Sequence, residues 1–154
     1  MPAGNALVIR APLAGTVVAL ADVPDEVFAS EMVGPGVGID PDRSATTAYC
    51  PVDGVVSKLL PHAFVIETGR RAVLVHLGVD TEDLASACFD VAVEEGQEVV
   101  AGQPLLAWSP DCVRREGRSA LCPVVALQAD AADVDVVVAP GDRVAEGQPL
   151  LAWR

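Results

Sequence analysis

Residues 95–108 read EGQEVVAGQPLLAW and residues 140–153 read PGDRVAEGQPLLAW, so the last seven residues of the two stretches are identical. Each stretch follows the pattern Gly-x-x-Val-x-x-Gly-x-x-Leu. Glycine adopts backbone angles that other residues avoid, whereas short Val and Leu runs favour extended chain. Each unit therefore predicts a turn, a short strand, a second turn and a second strand. We expect Trp108 and Trp153, which end the units, to cover equivalent edges of a core with internal duplication.

The rest of the chain has the same short-strand pattern. Runs of Val, Leu and Ile are interrupted by Pro, Gly or Asp every eight to twelve residues, and helical periodicity is scarce. This spacing is typical of an all-β sandwich or barrel. Two short helical turns are also predicted, over residues 26–32 after a cap at Asp25 and over residues 111–118. The predicted strands cover residues 7–11, 15–20, 36–40, 46–49, 54–59, 63–67, 72–77, 92–93, 98–99, 104–109, 120–127, 134–138 and 149–153.

Length and composition limit the class of protein. The 154 residues are 51% hydrophobic and 21% charged, which excludes disorder as a description of the whole chain. We expect a single domain over residues 1–154.

Ten Lys and Arg against 22 Asp and Glu give a net charge of −12. This charge disfavours nucleic acid and anionic membranes as partners and attracts basic proteins. The longest nearly apolar run, residues 11–21, is about half a membrane span, so we expect no membrane insertion.

The four cysteines are Cys50, Cys88, Cys112 and Cys122, and none forms a Cys-x-x-Cys pair. A chain of this size needs no disulfide framework, and cysteines of this kind are commonly buried as small hydrophobic residues. The first residues lack the basic region and apolar stretch of a signal peptide. We therefore expect a cytoplasmic protein with reduced thiols.

The only two histidines, His62 and His76, flank a predicted hairpin. A three-residue loop over residues 68–70, with Gly69 in the left-handed position, would place His62 directly opposite His76. Opposed residues have Cβ atoms about 4.5–5.5 Å apart. Alternation along the strands then puts Phe64, Ile66, Ala72 and Leu74 on the same face as the two rings. A register one residue off would point the two histidines to opposite faces.

Two adjacent imidazoles suit more than one kind of chemistry. They could bind a metal, perform general acid–base catalysis, or act as a nucleophile with an orienting partner. They could also be ordinary, partly buried histidines that bind backbone groups. For a metal we expect only weak zinc binding at His62 and His76, with the remaining ligands from water or a partner's carboxylate, and no structural zinc. The acidic run at residues 80–83 could begin a helix, supply carboxylates or form a solvated turn.

The ordered motifs of this chain resemble those of the glucose-type enzyme IIA (EIIA) domain of the bacterial phosphoenolpyruvate:sugar phosphotransferase system. The resemblance runs from about residue 7 to the end of the chain. It rests on APLAG at 11–15, VPD at 23–25, FA at 28–29, PVDG at 51–54, HAF at 62–64, HLGVDT at 76–81, EEGQ at 94–97 and PVV at 123–125.

The resemblance implies a fold and a role for each histidine. The family fold is an antiparallel β-sandwich with jelly-roll and Greek-key connections and an internal duplication. By motif, His76 accepts a phosphoryl group on Nε2 from the phosphocarrier protein HPr and passes it to a cysteine of a sugar-specific IIB domain. His62 hydrogen-bonds that phosphoryl group. No cofactor is required. Family members commonly have a threonine two residues before the HAF motif, whereas this chain has Leu60.

The resemblance also implies a surface that docks HPr, the IIB domain of a glucose- or N-acetylglucosamine-type permease and regulatory proteins. Its residues form an apolar centre with acidic residues at the rim, an arrangement that combines complementarity with fast association. The apolar positions could instead be ordinary core. The residues are Asp25, Phe28, Met32, Val33, Leu59, Leu74 and Asp80.

Other function classes fit the sequence less well. A biotinyl- or lipoyl-type carrier needs an exposed lysine on a tight turn, but Lys58, the only lysine, lies inside a predicted strand. A zinc peptidase-like β protein would need a His-x-His pair, which the chain lacks. A regulatory binding protein would use the same phosphorylated histidine as a signal, so that role is compatible with phosphotransfer.

Overall fold

The computed structural model describes residues 6–154, and most of its regular secondary structure is β-strand. Two short helices are α1 (Glu26–Ala29) and α2 (Pro110–Arg115). Single 3-10 turns cover Leu20–Asp22, Ala85–Ala87 and Ala131–Asp133. The strands are β1 (Leu7–Arg10), β2 (Gly15–Ala19), β3 (Gly36–Pro41), β4 (Thr47–Tyr49), β5 (Gly54–Leu60), β6 (Ala63–Thr68), β7 (Arg71–His76), β8 (Phe89–Val91), β9 (Glu98–Val99), β10 (Pro104–Trp108), β11 (Cys122–Ala126), β12 (Val134–Val136), β13 (Arg143–Val144) and β14 (Pro149–Trp153).

The strands form three antiparallel sheets. Eight of them follow the order β13-β2-β3-β11-β7-β6-β5-β9, and two three-stranded sheets follow the orders β1-β14-β12 and β4-β10-β8. Buried side chains of all three sheets, such as Ile9, Leu106 and Val124, form one hydrophobic cluster. The predicted all-β antiparallel class is confirmed.

The sequence repeat becomes a structural repeat. β9 pairs with β5 at one edge of the large sheet, and β13 pairs with β2 at the other edge. β10 and β14 are each the central strand of a three-stranded sheet. Gly102 and Gly147 occupy equivalent turns with φ values of 89° and 86°. Residues with a side chain rarely adopt this backbone region. Trp108 and Trp153 are both buried at the ends of their strands.

Several predicted boundaries differ from the structure. The strand predicted at residues 92–93 lies instead at β8, where Phe89 pairs with Trp108 and stacks on its ring. Both helices are shorter than predicted, because the chain takes positive φ at Glu31 after α1 and at Gly117 after α2. None of the helices within residues 6–154 is long and apolar enough to cross a membrane.

The prediction of four reduced thiols is wrong for two of the cysteines. Cys88 and Cys112 form a disulfide, with their Cα atoms 5.6 Å apart. Ser109 both caps α2 and donates its backbone N–H to the Cys88 carbonyl, so the first turn of α2 brings Cys112 against Cys88. Cys50 and Cys122 are free and buried. Burial raises the pKa of Cys50 to about 11 and that of Cys122 to about 12, which keeps both as unreactive thiols.

Candidate functional site

The two histidines lie at one end of the β5–β6–β7 meander. β5 and β6 are joined by a two-residue turn whose second residue is His62, since Leu60 pairs with Ala63. His76 is the last residue of β7. The Leu77 backbone N–H donates to the His62 carbonyl at 2.7 Å, which ties the turn to the end of β7.

The predicted register of the β6–β7 hairpin is wrong by one residue. Thr68 pairs with Arg71, so the loop contains two residues rather than three, and His76 lies opposite Ala63. Phe64 and Ile66 consequently face the core instead of sharing the face of His76, whereas Leu74 remains on that face. His62 lies outside the strand, in a turn where strict alternation does not apply.

The predicted adjacency of the histidines is confirmed despite the register error. Their ring centroids are 4.9 Å apart, and the ring planes are inclined by 69°. His62 is 5% exposed, whereas His76 is half-buried. Together with Leu60 and Leu74, both histidines line a depression of about 300 Å³. The site thus offers one accessible imidazole supported by a second, buried one.

One hydrogen bond fixes the tautomer of His76. Its Nδ1 lies 2.6 Å from the carbonyl oxygen of Gly78. A carbonyl only accepts, so Nδ1 carries the proton, and the lone pair of the neutral ring resides on Nε2. The turn that presents this carbonyl has positive φ at Gly78 and Asp80. The buried Thr81 stabilises the turn by donating its hydroxyl to the Leu77 carbonyl at 2.9 Å.

Arg118 holds the same turn from outside, a role that the sequence analysis missed. Its guanidinium donates to both carboxylate oxygens of Asp83 and to the backbone carbonyl of Asp80. These hydrogen bonds hold the pKa of Asp83 below its usual range. The only sequence signal was the opposite charge of the two residues, 35 positions apart.

The electrostatics around His62 favour its neutral form. Burial lowers the pKa of His62, and the nearby His76 lowers it further, whereas Glu82 acts in the opposite direction. The buried Nδ1 of His62 has no hydrogen-bond partner in the described part of the chain. His62 therefore lines the depression as a neutral ring, and nearby negative charge favours its protonated form.

Glu82 is a third polar group at the site. One ligand atom from each of His62, His76 and Glu82 lies within 4.8 Å of the others. Two imidazole nitrogens and one carboxylate oxygen are donors that zinc accepts. The expected zinc pair thus has a third potential ligand in its own chain, from the acidic run at residues 80–83.

Apolar side chains flank His76 on the side that faces α1. Phe28 of α1 is 7% exposed, and its ring meets that of His76 edge-on at 5.4 Å between centroids. Phe28 belongs to a small hydrophobic cluster into which Val33 and Leu74 pack. Leu59 packs against the main core instead. Among the five apolar residues predicted to dock partners, only Met32 is largely exposed, at 72%.

Two further apolar side chains, which the sequence analysis did not select, are exposed near the same site. Val27 is 42% exposed in α1, and its carbonyl accepts from the Met32 backbone N–H. Leu60 is 40% exposed and lines the histidine depression. Of the predicted acidic rim, Asp25 caps α1 by accepting from the Val27 N–H, and Asp80 is exposed.

The structure also bears on the alternative carrier function. Lys58 lies within β5 and pairs in register with Val65, rather than at the tip of a hairpin. Its side chain lines the same depression as the two histidines. The attachment lysine of a biotinyl or lipoyl carrier needs a tight turn, so this function is not favoured.

Comparison with known proteins settles the family. Residues 7–132 match the family model described as phosphoenolpyruvate-dependent sugar phosphotransferase system, EIIA 1. The chain belongs to this family. The predicted membership is therefore confirmed, and with it the assignment as a phosphocarrier domain of this phosphotransferase system.

Relatives and a solved structure agree with the EIIA assignment. The glucose-specific EIIA component of Bacillus cereus is 36% identical over 132 residues, which cover 84% of this chain and 79% of that protein. The N-acetylglucosamine-specific EIICBA component of Klebsiella pneumoniae is 42% identical over 122 residues, which cover 77% of this chain but only 18% of the relative. The glucose permease IIA of Mycoplasma capricolum superposes with a TM-score of 0.84 at 29% identity, over 96% of this chain and 95% of that one.

Proposed function

We propose that Nε2 of His76 accepts a phosphoryl group from phospho-HPr and passes it to the cysteine of a IIB domain. The observation that supports this most is the hydrogen bond from Nδ1–H to the Gly78 carbonyl, because it leaves the nucleophilic lone pair on Nε2. Partial exposure of His76 at the mouth of a depression gives a donor protein access to that atom.

The proposed transfer needs no proton to leave His76. The Nε2 lone pair attacks the phosphorus of phospho-HPr, the Nε2–P bond forms, and the N–P bond to the HPr histidine breaks with its electron pair. The ring keeps its Nδ1 proton, and Nδ1–H continues to donate its hydrogen bond to the Gly78 carbonyl. In the onward step a cysteine thiolate attacks the phosphorus, the S–P bond forms, and the Nε2–P bond breaks with its electron pair returning to Nε2.

His62 would stabilise the transferred group. Phosphoryl transfer depends on positioning and on stabilising charge on the equatorial oxygens. The centroid separation of 4.9 Å places the His62 ring close enough to donate to a phosphoryl group on His76. Charge-assisted hydrogen bonds are about twice as strong as neutral ones, so a proton on His62 in the transition state would speed transfer.

The docking surface for both partners would surround His76. We assign its exposed apolar part to Met32, with Val27 and Leu60 added to the predicted set. Phe28, Val33 and Leu74 would support this surface from below, Leu59 would lie at its edge, and Asp25 and Asp80 would meet basic groups at the rim. The net charge of −12 favours basic partners.

We propose that the reaction requires no metal or other cofactor. Zinc bound by His62, His76 and Glu82 would occupy the Nε2 lone pair that accepts phosphorus, so zinc would act as a competitor. The names of the relatives, glucose-specific and N-acetylglucosamine-specific, favour the IIB domain of a glucose- or N-acetylglucosamine-type permease as the acceptor. The phosphorylated and free forms could additionally signal sugar flux to regulatory proteins.

The test is incubation of the chain with enzyme I, HPr and labelled phosphoenolpyruvate. We expect one label per chain that is lost in acid and stable in alkali, as phosphohistidine is, and that moves to an added IIB domain. Absence of label with active enzyme I and HPr would contradict the proposal.

A further inference from the structure

Glu82 places a negative charge beside the proposed phosphoryl acceptor. Its carboxylate lies within 4.8 Å of ring nitrogens of His62 and His76. Among the described residues none forms an ion pair with Glu82, although Lys58 lines the same depression. The neighbouring Asp83 is different, because Arg118 binds both of its oxygens.

A phosphoryl group on His76 would share the depression with this carboxylate. The group carries close to two negative charges at neutral pH, and Glu82 carries one. Like charges a few ångströms apart repel even in a water-like dielectric. For the phosphoryl group and Glu82, this repulsion corresponds to about a tenfold decrease in the equilibrium constant for phosphorylation of His76. The penalty applies to the phosphorylated form and not to the free form.

We infer that the Glu82 carboxylate raises the phosphoryl-transfer potential of phosphorylated His76, which favours passage of the group to the next protein. This inference rests on the proposed function. It makes the site a weaker store of phosphate and a better donor than the two imidazoles alone would be.

The measurement is the equilibrium constant for phosphoryl exchange between HPr and this chain, in buffer with EDTA so that no metal occupies the site. Glu82→Gln keeps the size of the side chain and removes its charge. We expect this variant to shift the equilibrium about tenfold toward phosphorylated His76 and to shift the equilibrium with IIB by the same factor in the opposite sense. Added salt should reduce the difference between wild type and variant.

Two further variants separate the local charge from other effects. Glu82→Asp keeps the charge and should behave nearly as wild type does. Glu146→Gln removes one charge from an exposed residue in the turn between β13 and β14, next to the β13 edge of the large sheet, and should leave the equilibrium unchanged.

The inference is overturned if Glu82→Gln has the wild-type equilibrium constant, or if Glu82→Asp or Glu146→Gln shifts it as much. These results differ from failure of the proposed function, in which neither wild type nor variant would be phosphorylated at all.

Discussion

His76 and His62 are similar in chemistry but differ in their surroundings, and we propose that this difference divides the work between them. His76 is half-buried and has Nδ1 bound to the Gly78 carbonyl, whereas His62 is almost fully buried and its Nδ1 has no partner among the described residues. In the proposed transfer, the first arrangement supplies the nucleophile. The second supplies a ring whose protonation is favoured by nearby negative charge.

The His62→Gln variant should separate accepting the phosphoryl group from passing it on. Glutamine can donate a hydrogen bond to a phosphoryl oxygen but cannot carry positive charge. We expect phospho-HPr to label the variant, while transfer to the IIB cysteine slows markedly because stabilisation of the transition state is lost. A chase of pre-labelled wild type and variant with purified IIB measures this. A variant that takes no label, or that transfers at the wild-type rate, would disprove the division of roles.

His62 should also make stability depend on pH. Burial lowers its pKa in the folded state, so between that pKa and the usual value near 6.5 the unfolded chain binds more protons. Above about pH 6.5, where His62 is neutral in both states, its contribution to the free energy of unfolding is therefore fully present. As the pH falls below that value, the free energy of unfolding decreases, with a slope of at most about 1.4 kcal/mol per pH unit. Urea unfolding between about pH 6.5 and pH 5.5 should show free energy of unfolding falling with pH in wild type, and falling less steeply in His62→Gln. Equal slopes in the two proteins would contradict the assignment.

What the sequence could predict at the residue scale was the pair of histidines, through their motifs and their spacing. The roles of Glu82 and Arg118 were not predictable, because both depend on how the turn after His76 folds. Residues 80–83 show three acidic side chains in sequence, yet the turn directs Glu82 to the histidines and Asp83 to Arg118.

At the scale of elements, alternation of side chains predicted most strands but not their register. The β6–β7 loop has two residues instead of three, which moves Phe64 and Ile66 to the core face. A glycine at position 69 fits either loop length, so the sequence alone could not choose between them. His62 still meets His76, because it lies in the β5–β6 turn, which the Leu77–His62 hydrogen bond fixes in place.

The disulfide is the element-scale feature with the clearest consequence for stability. It joins the end of the segment between β7 and β8, which follows His76, to α2 across a sequence separation of 24 residues. Closing a loop of this length stabilises the folded state by roughly 3.5 kcal/mol through the entropy of the unfolded chain. We expect the Cys88→Ser/Cys112→Ser double variant to lose about that free energy of unfolding in urea.

Reduction provides the matched control for the disulfide. Dithiothreitol should destabilise wild type to the level of the double variant and should leave the double variant unchanged. If the reductant has no effect on wild type, the bond does not contribute to stability. If it destabilises the double variant as well, the effect has another source.

At the scale of the whole molecule, the duplication frames the site. The repeat predicted from residues 95–108 and 140–153 places β9 and β13 at opposite edges of the large sheet, and β6, β7 and β11 lie between them. The histidines are at one end of the β5–β6–β7 meander, whose strand β5 pairs with β9 of the first repeat unit. We propose that residues 1–154 act as one domain, since both repeats pair with strands of the same sheet.

The central claim is that His76 itself carries the phosphoryl group. The most direct test is intact-protein mass spectrometry, at neutral pH, of wild type, His76→Ala and His62→Ala after incubation with enzyme I, HPr and phosphoenolpyruvate, with circular dichroism to show that each is folded. We predict a single phosphoryl adduct on wild type, none on folded His76→Ala, and an adduct that persists on His62→Ala. An adduct on His76→Ala at the wild-type level would contradict the account.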